Sequence, residues 1–191
     1  MIRRASAATE LTAQSRSGLI VLRHPRWADY DDWAELRRGS EDWLRPWEPE
    51  WSDAHLSRGS YRLRLNRFKK MVAADSAYLF HIFRADTEAL LGACHLTHIE
   101  RSAAQSAKLG YWIGQRHANR GFGLAAINSV SRFGFETLGL HRIEAAVQAV
   151  NHPSIRVLEK ACYRLEGTAR GYLKIGGRWT DHLVYARLSS D

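Results

Sequence analysis

The chain has 191 residues, of which 45% are hydrophobic and 25% are charged, and its formal net charge is +8 at pH 7. This composition is typical of a globular domain with a full hydrophobic core, and no apolar run approaches the roughly 20 residues that a membrane span needs. The positive charge favours anionic partners such as nucleic acid, a ribosomal surface or a phosphorylated cofactor, although a solvated basic surface would have the same composition.

The first 17 residues are rich in Ala, Ser, Thr and Arg and show no hydrophobic periodicity. Arg3 and Arg4 begin the segment, but the apolar stretch of a signal peptide does not follow them. We therefore predict a disordered tail over residues 1–17 and one domain over residues 18–191.

Hydrophobic periodicity predicts strands and helices in alternation along the rest of the chain. Helices are predicted at about 25–38, 41–44, 56–74, 124–138 and 151–161. Strands are predicted at 18–23, 78–84, 90–99, 108–113, 142–150, 163–169 with 171–175, and 178–188. This order indicates an α/β (α+β) domain, in which a single mixed sheet is flanked by helices.

The most informative stretch covers residues 115–125, between a predicted strand and a predicted helix. Gly121 and Gly123 allow the backbone to pass close to a ligand and leave several N–H groups pointing outwards at the start of the helix. Together with the helix dipole and the positive charges of Arg116 and Arg120, these donors suit a phosphate or a pyrophosphate.

Two common phosphate-binding motifs do not fit this stretch. A dinucleotide-binding loop would have a third glycine and an acidic residue about 20 positions later, and a P-loop would continue with Gly-Lys-Ser/Thr. The sequence contains neither pattern here. Hydride transfer and nucleotide hydrolysis are therefore disfavoured.

Two other segments each have a structural and a functional interpretation. Residues 43–49 combine two tryptophans and two prolines, and they fit either an aromatic plug over the core or one wall of a peptide groove. The predicted helix 56–74 carries a dense set of Arg and Lys residues. Such a face is either simply solvated or docks on an acidic or RNA-rich partner.

The cysteines and histidines predict neither a disulfide framework nor a metal site. Cys94 and Cys162 match no C-x-x-C pattern, and the histidines are scattered along the chain. We expect both thiols to be buried and reduced, which is usual for a cytoplasmic protein.

The order of strand, arginine-flanked Gly-x-Gly, helix, strand and Asn151-led helix resembles the GNAT acyltransferase superfamily. Further motifs resemble its bacterial ribosomal-protein alanine N-acetyltransferase branch. They are LRPWEP at 44–49, LGYWIGQ at 109–115, LHRIEA at 140–145, NHPS at 151–154 with RVLEK at 156–160, GYLKI at 171–175 and GRWTDH at 177–182. The resemblance spans residues 18–188. It implies the GNAT fold, with a largely antiparallel sheet and a splayed parallel strand pair at 108–113 and 142–150.

The resemblance also implies acetyl-CoA as the co-substrate and no metal, with the cofactor in the cleft between the splayed strands. Its pyrophosphate would take backbone N–H groups from Arg120, Gly121, Phe122, Gly123, Leu124 and Ala125, with side-chain charge from Arg120 and Arg116. Its pantetheine arm would meet main-chain groups of Tyr111, Trp112 and Ile113 and the amide of Asn151.

The acceptor that the resemblance implies is the N-terminal α-amine of a protein, such as a small-subunit ribosomal protein, and with it association with the ribosome. One alternative is an acetyltransferase of a small amine such as an antibiotic, an amino acid or a toxin. Another is a non-catalytic module that binds RNA through the predicted helix 56–74.

Acyl transfer to an amine needs a neutral nucleophile and a way to stabilise the departing thiolate. A peptide α-amine has a pKa of about 8, so part of it is neutral near pH 7 and a modest base is sufficient. Glu144 is the candidate base; alternatively, its carboxylate is paired with Arg142 or His141 or is solvated.

The family often places a tyrosine on the last helix as the acid that protonates the thiolate, but this chain has Leu158 at that position. Ser154 is the nearest replacement, and Tyr163 is a more distant option. Since a thiol of pKa about 8.5 leaves with little help, catalysis would depend mainly on positioning.

Overall fold

A single sheet of eight strands organises the chain, of which the computed structural model describes residues 9–191. The strands are β1 (Glu10–Ser15), β2 (Gly18–Arg23), β3 (Tyr78–Arg84), β4 (Leu90–Glu100), β5 (Ser106–Ile113), β6 (Arg142–Val147), β7 (Arg164–Ile175) and β8 (Arg178–Leu188). Their order across the sheet is β1-β2-β3-β4-β5-β6-β8-β7. All neighbours are antiparallel except β5 and β6, which are parallel. The predicted mixed, largely antiparallel sheet is confirmed.

In the described part of the chain five α-helices flank the sheet, in the places where the sequence predicts them. They are α1 (Tyr30–Arg38), α2 (Glu41–Leu44), α3 (Arg58–Ala73), α4 (Phe122–Arg132) and α5 (His152–Lys160). A π-helical turn, Phe133–Thr137, extends α4. The helix boundaries differ from the predicted ones by a few residues, because capping residues determine where a helix begins. At α3, for example, the Ser57 hydroxyl accepts a hydrogen bond from the Ser60 N–H at 3.1 Å, so the helix begins at Arg58.

The predicted disordered tail over residues 1–17 is wrong for residues 10–15, because they form β1 at one edge of the sheet. β1 pairs with β2 along its whole length, from Glu10 opposite Arg23 to Ser15 opposite Gly18. Leu11 and Ala13 pack against the main core. With only these two apolar positions, the strand has too weak an alternation to be recognised in the sequence. Residues 1–8 lie outside the described part of the chain.

Helices cover both faces of the central strands. Alternate residues of β3, such as Phe80 and Ile82, belong to the core cluster that also contains Ile127 and Val130 of α4. Phe83 points to the other face, where a second cluster contains side chains of α1 and α3. β3 is therefore buried on both sides.

The parallel strands β5 and β6 separate soon after they begin to pair. Their register runs only from Ser106–Arg142 to Lys108–Glu144. Beyond that point β5 stays with β4 up to Ile113, and β6 stays with β8 up to Val147. A cleft therefore opens between the strands, and one edge of β5 after Lys108 has no strand partner within residues 9–191.

No helix within residues 9–191 is long and apolar enough to cross a membrane.

The two cysteines differ in burial. Cys94 is buried and free, as predicted, whereas Cys162 is free but exposed. Cys162 follows α5 in the left-handed conformation, with φ of 62°, and it lies between two buried core residues, Ala161 and Tyr163.

Candidate active site

A first cavity of about 380 Å³ lies beside the N-terminus of α4. Its lining contains all the predicted cofactor-binding residues except Arg116 and Ala125: Tyr111, Trp112, Ile113, Arg120, Gly121, Phe122, Gly123, Leu124 and Asn151. The splayed edge of β5, the start of α4 and the start of α5 therefore meet in one place. We call this the cofactor cavity.

The start of α4 has the geometry of an anion-binding site. Gly121 is in the left-handed conformation, with φ of 83°, and caps the helix. The N–H groups of Phe122, Gly123 and Leu124 occupy the first helical positions, where no carbonyl of the same helix can accept them. A phosphate at this point would accept these hydrogen bonds and face the positive end of the helix dipole. The residues present thus fit a pyrophosphate.

Two predicted phosphate ligands do not reach this position. The Ala125 N–H donates to the carbonyl oxygen of Gly121 at 3.1 Å, so it is already used within the helix. The Arg116 guanidinium donates to the Glu35 carboxylate at 3.0 Å, and Arg116 does not line the cavity. Arg116 lies in a short 3₁₀ turn, Gln115–His117, that brings it within reach of this acidic residue of α1.

The part of the cavity formed by β5 and α5 combines main-chain and amide groups. The carbonyl oxygen of Ile113 already accepts a hydrogen bond from the indole N–H of Trp43, at 3.2 Å. The side-chain oxygen of Asn151 accepts the Ser154 N–H at 3.2 Å and thereby caps α5. The amide NH₂ of Asn151 makes no hydrogen bond within residues 9–191 and can donate to a ligand in the cavity.

A second cavity, of about 560 Å³, lies on the other side of the splayed strands. Glu144, Lys108, His95, Tyr172 and His182 contribute polar groups to it. Six residues line both cavities, namely Trp47, Glu48, Tyr111, Trp112, Asn151 and Ser154. The cavities are therefore adjacent, and we call the shared lining residues the junction and the second cavity the acceptor cavity.

Ser154 lies at the junction, and its hydroxyl is hydrogen-bonded to the phenol of Tyr111. The distance between its Oγ and the Tyr111 Oη is 2.8 Å. Burial raises the pKa of Tyr111 to about 12, so the phenol stays protonated at neutral pH. The pair can therefore present a proton to a group that binds between the two cavities.

Glu48 is a junction residue that the sequence prediction did not single out. Its carboxylate accepts hydrogen bonds from the Arg37 guanidinium and from the Trp51 indole, each at 2.8 Å. Arg37 is only 4% exposed and lies over the rings of Trp51 and Trp112, at 4.3 and 5.0 Å from their centroids. The buried Arg37 thus contacts two residues of the junction, the acidic Glu48 and the aromatic Trp112.

The segment 43–49 lies against both cavities. Leu44 is buried, and Trp43, Leu44 and Trp47 all line the cofactor cavity. Glu48 and Pro49 also line the acceptor cavity. The motif LRPWEP already contained this acidic residue, but only the fold shows that it reaches the junction.

Glu144 lines the acceptor cavity, and its carboxylate is paired with Arg142 Nε at 2.9 Å. Arg142 Nη1 also donates to Glu166 at 2.7 Å. This ion pair is one of the alternatives that the sequence left open. Tyr163 lines neither cavity, because it is buried and its hydroxyl lies 2.8 Å from the Ser131 hydroxyl. The structure therefore removes Tyr163 as an acid.

His95 is another acceptor-cavity residue that the sequence did not indicate. It belongs to β4 and lies across Gly110 of β5, where a Cβ atom would overlap its imidazole ring. Burial lowers the pKa of His95 to about 4, so the ring is neutral at pH 7. A neutral imidazole can accept a hydrogen bond from an amine without repelling its charge.

Residues 20–164 match the family model described as an acetyltransferase (GNAT) domain. The chain belongs to the GNAT acetyltransferase family. The predicted family and the predicted N-acetyltransferase class are both confirmed.

The acetyltransferase has relatives that match almost all of its length. It is 34% identical to the probable N-acetyltransferase YjcK of Bacillus subtilis, over 90% of this chain and 95% of the relative. It is 30% identical to the [ribosomal protein uS5]-alanine N-acetyltransferase of Escherichia coli, over 91% of this chain and 88% of the relative. The structure of Mycobacterium smegmatis RimJ in complex with CoA-disulfide is 27% identical and superposes with a TM-score of 0.90, covering 95% of this chain and 88% of that one.

Proposed function

We propose that the acetyltransferase transfers an acetyl group from acetyl-CoA to the N-terminal α-amine of a protein, such as a small-subunit ribosomal protein. The observation that carries this proposal is the pair of adjacent cavities that share six lining residues, and one of these cavities ends at the N-terminus of α4. The acceptor class is supported by the relative named for the alanine of ribosomal protein uS5. A ribosomal acceptor would place the reaction in the cytoplasm.

The residues of the cofactor cavity would hold acetyl-CoA, which supplies an activated acetyl thioester when bound. The N–H groups of Phe122–Leu124 would bind its pyrophosphate, with charge from Arg120, and the Asn151 amide would bind the pantetheine arm. These contacts direct the thioester to the junction, where the amine enters from the acceptor cavity. Holding both reactants in this geometry is the main contribution of the protein.

Glu144 would take the proton from the acceptor amine, directly or through a water molecule. The ion pair with Arg142 holds its carboxylate at the wall of the acceptor cavity. A carboxylate is a weak base. A weak base is sufficient for an α-amine of pKa about 8, because part of the amine is already neutral at pH 7.

The surface of α3 supports association with a ribosome. Arg62, Arg67, Lys69 and Lys70 are exposed on this helix, and no ion pair forms on these four side chains within residues 9–191. Acidic residues are absent from α3. Such a surface suits the phosphate backbone of RNA.

Replacing Ser154 with alanine is expected to lower kcat about tenfold and to leave the Kd for acetyl-CoA unchanged. The Ser154 hydroxyl would protonate the departing thiolate of CoA. The expected loss of kcat is small for the removal of a general acid, because the thiolate of a thiol with a pKa of about 8.5 leaves with little help. Stopped-flow or steady-state kinetics and calorimetry measure the two constants. Ser189→Ala, at the exposed C-terminus, is the control. An unchanged kcat in Ser154→Ala would remove Ser154 as the acid.

The proposed acceptor is tested with matched peptides and acetyl-CoA. One peptide begins with a free alanine or serine, and its partner has a blocked N-terminus and one internal lysine. At pH 7 roughly a tenth of an α-amine is neutral, against less than about 0.1% of a lysine side chain. We expect release of free CoA, followed with a thiol reagent, to be at least about 100-fold faster with the free N-terminus.

Two outcomes would contradict the peptide proposal. Equal rates with both peptides would show that the α-amine is not the preferred nucleophile. No reaction with any peptide, together with rapid acetylation of small amines, would identify the enzyme as a small-molecule acetyltransferase. Mass spectrometry of the products locates the acetyl group in each case.

A further inference from the structure

We propose that Arg16, in the turn between β1 and β2, is a ligand of the cofactor pyrophosphate. This inference rests on the proposed use of acetyl-CoA and adds a residue that lies outside the glycine stretch. It makes the edge hairpin of the sheet a part of the cofactor site.

The position of Arg16 relative to Gly121 is the first observation. Arg16 lines the cofactor cavity, although it is about 100 residues away in sequence from the other phosphate-binding groups. A Cβ atom on Gly121 would lie 3.0 Å from Arg16 Cγ and 3.5 Å from Arg16 Cδ. The Arg16 side chain thus packs directly over the residue that caps α4. A phosphate bound to the N–H groups of Phe122 and Gly123 would lie within reach of its guanidinium.

The turn that carries Arg16 is held in place by its own hydrogen bonds. The Ser15 hydroxyl donates to the Gly18 carbonyl oxygen at 2.7 Å and accepts the Ser17 N–H at 3.1 Å. Ser15 itself is buried. In addition, β1 packs against α4, whose N-terminus forms the phosphate site. The strand and the helix therefore fix the distance between Arg16 and the site before any ligand binds.

The charge of Arg16 is available for a ligand. Its guanidinium makes no hydrogen bond and no ion pair within residues 9–191, in contrast to Arg116, which is paired with Glu35. Within residues 9–191, Glu48, at the junction end, is the only acidic residue that lines the cofactor cavity. A planar guanidinium can donate two parallel hydrogen bonds to a phosphate, which makes arginine well suited to this role.

Binding of CoA and of dephospho-CoA to the full chain tests this assignment. We expect Arg16→Ala to weaken binding of both ligands by the same factor of about ten, since dephospho-CoA keeps the pyrophosphate and lacks only the 3′-phosphate. A tenfold change corresponds to about 1.4 kcal/mol. Isothermal titration calorimetry at several salt concentrations gives the Kd values, and the salt dependence should be weaker in the variant. Arg67→Ala, on the exposed face of α3, controls for the change in net charge.

Three outcomes would overturn the proposal. Unchanged binding of CoA in Arg16→Ala would show that the side chain does not contact the ligand. A loss confined to CoA would place Arg16 at the 3′-phosphate, and an equal loss in Arg67→Ala would indicate a general electrostatic effect. If the unaltered protein bound no CoA at all, the proposed function would fail first. Thermal unfolding without ligand should be the same for both variants, because neither side chain is buried.

Discussion

Replacing Arg37 with alanine is expected to lower the free energy of unfolding by about 3 kcal/mol. Removal of one partner from a buried ion pair typically costs about 3–5 kcal/mol, because the other charge stays buried without compensation. Arg37 is 5% exposed in its side chain and Glu48 is 23% exposed, so the lower end of this range applies. The variant also loses the packing of the guanidinium on Trp51 and Trp112. Urea unfolding followed by tryptophan fluorescence measures the change.

Arg58→Ala is the matched control for this prediction. Arg58 also forms an ion pair, with Asp31 at 2.6 Å, but the two side chains are 57% and 75% exposed. Exposed pairs contribute at most about 1 kcal/mol. If both variants lost the same free energy, burial of the Arg37–Glu48 pair would not be the reason for the effect.

The position of Glu48 at the junction gives Arg37→Ala a second consequence. Without Arg37, the Trp51 indole is the one hydrogen-bond donor that the Glu48 carboxylate keeps among residues 9–191, so we expect the junction to lose its fixed geometry. Acetyl transfer depends on the relative placement of two reactants at the junction, and small displacements there lower the rate strongly. We therefore expect kcat to fall even at temperatures where the variant is fully folded.

The sequence predicts the features of this enzyme that depend on neighbouring residues. Gly121 and Gly123 predicted a helix start with exposed N–H groups, and Gly121 does cap α4 in the left-handed conformation, because these are local properties of the backbone. The ion pair of Glu144 with Arg142 is local as well, since residues two apart in a strand share one face. The sequence left several partners open for Glu144, because the position of a residue in a strand does not show which polar side chain lies closest to it.

The features that the sequence did not predict depend on contacts between distant segments. Arg116 was expected at the phosphate because it is close to Gly121 in sequence, but Glu35 of α1 is its partner in the fold. Arg16 was placed in a disordered tail, whereas strand pairing with β2 brings it to the cofactor cavity. His95 reaches the acceptor cavity only because Gly110 on the next strand has no side chain. Side-chain direction in each case follows from tertiary packing.

Replacing Gly92 with alanine is expected to destabilise the protein by at least about 3 kcal/mol, at the upper end of the usual cost of overpacking. Gly92 of β4 lies opposite Ile113 of β5. A Cβ atom there would overlap the backbone carbonyl oxygen of Trp112 and lie 3.0 Å from the Ile113 Cα. Real Cβ atoms essentially never approach other atoms more closely than 3.0 Å, so the two strands have to move apart. Urea unfolding measures the loss of stability, and calorimetry measures the binding of acetyl-CoA.

The same substitution at two other glycines separates a backbone clash from the effect of an added methyl group. Gly59→Ala, in the first turn of α3, meets nothing closer than the Ser57 Oγ at 3.9 Å, and alanine favours a helix. We expect its stability to be unchanged or up to about 1 kcal/mol higher. In Gly110→Ala the obstacle is the His95 imidazole, a side chain that can rotate away from position 110 and so change the lining of the acceptor cavity.

Gly110→Ala should therefore cost less stability than Gly92→Ala and affect acceptor binding more. The Trp112 carbonyl cannot rotate in this way, because it belongs to the backbone of a strand that is paired with β4. Relief of the clash in Gly92→Ala must displace residues 111–113, the edge that faces the cofactor cavity. Weaker binding of acetyl-CoA should accompany the loss of stability in Gly92→Ala alone. Wild-type stability in that variant would mean that β4 and β5 separate at little cost, contrary to the rigid edge on which the cofactor site depends.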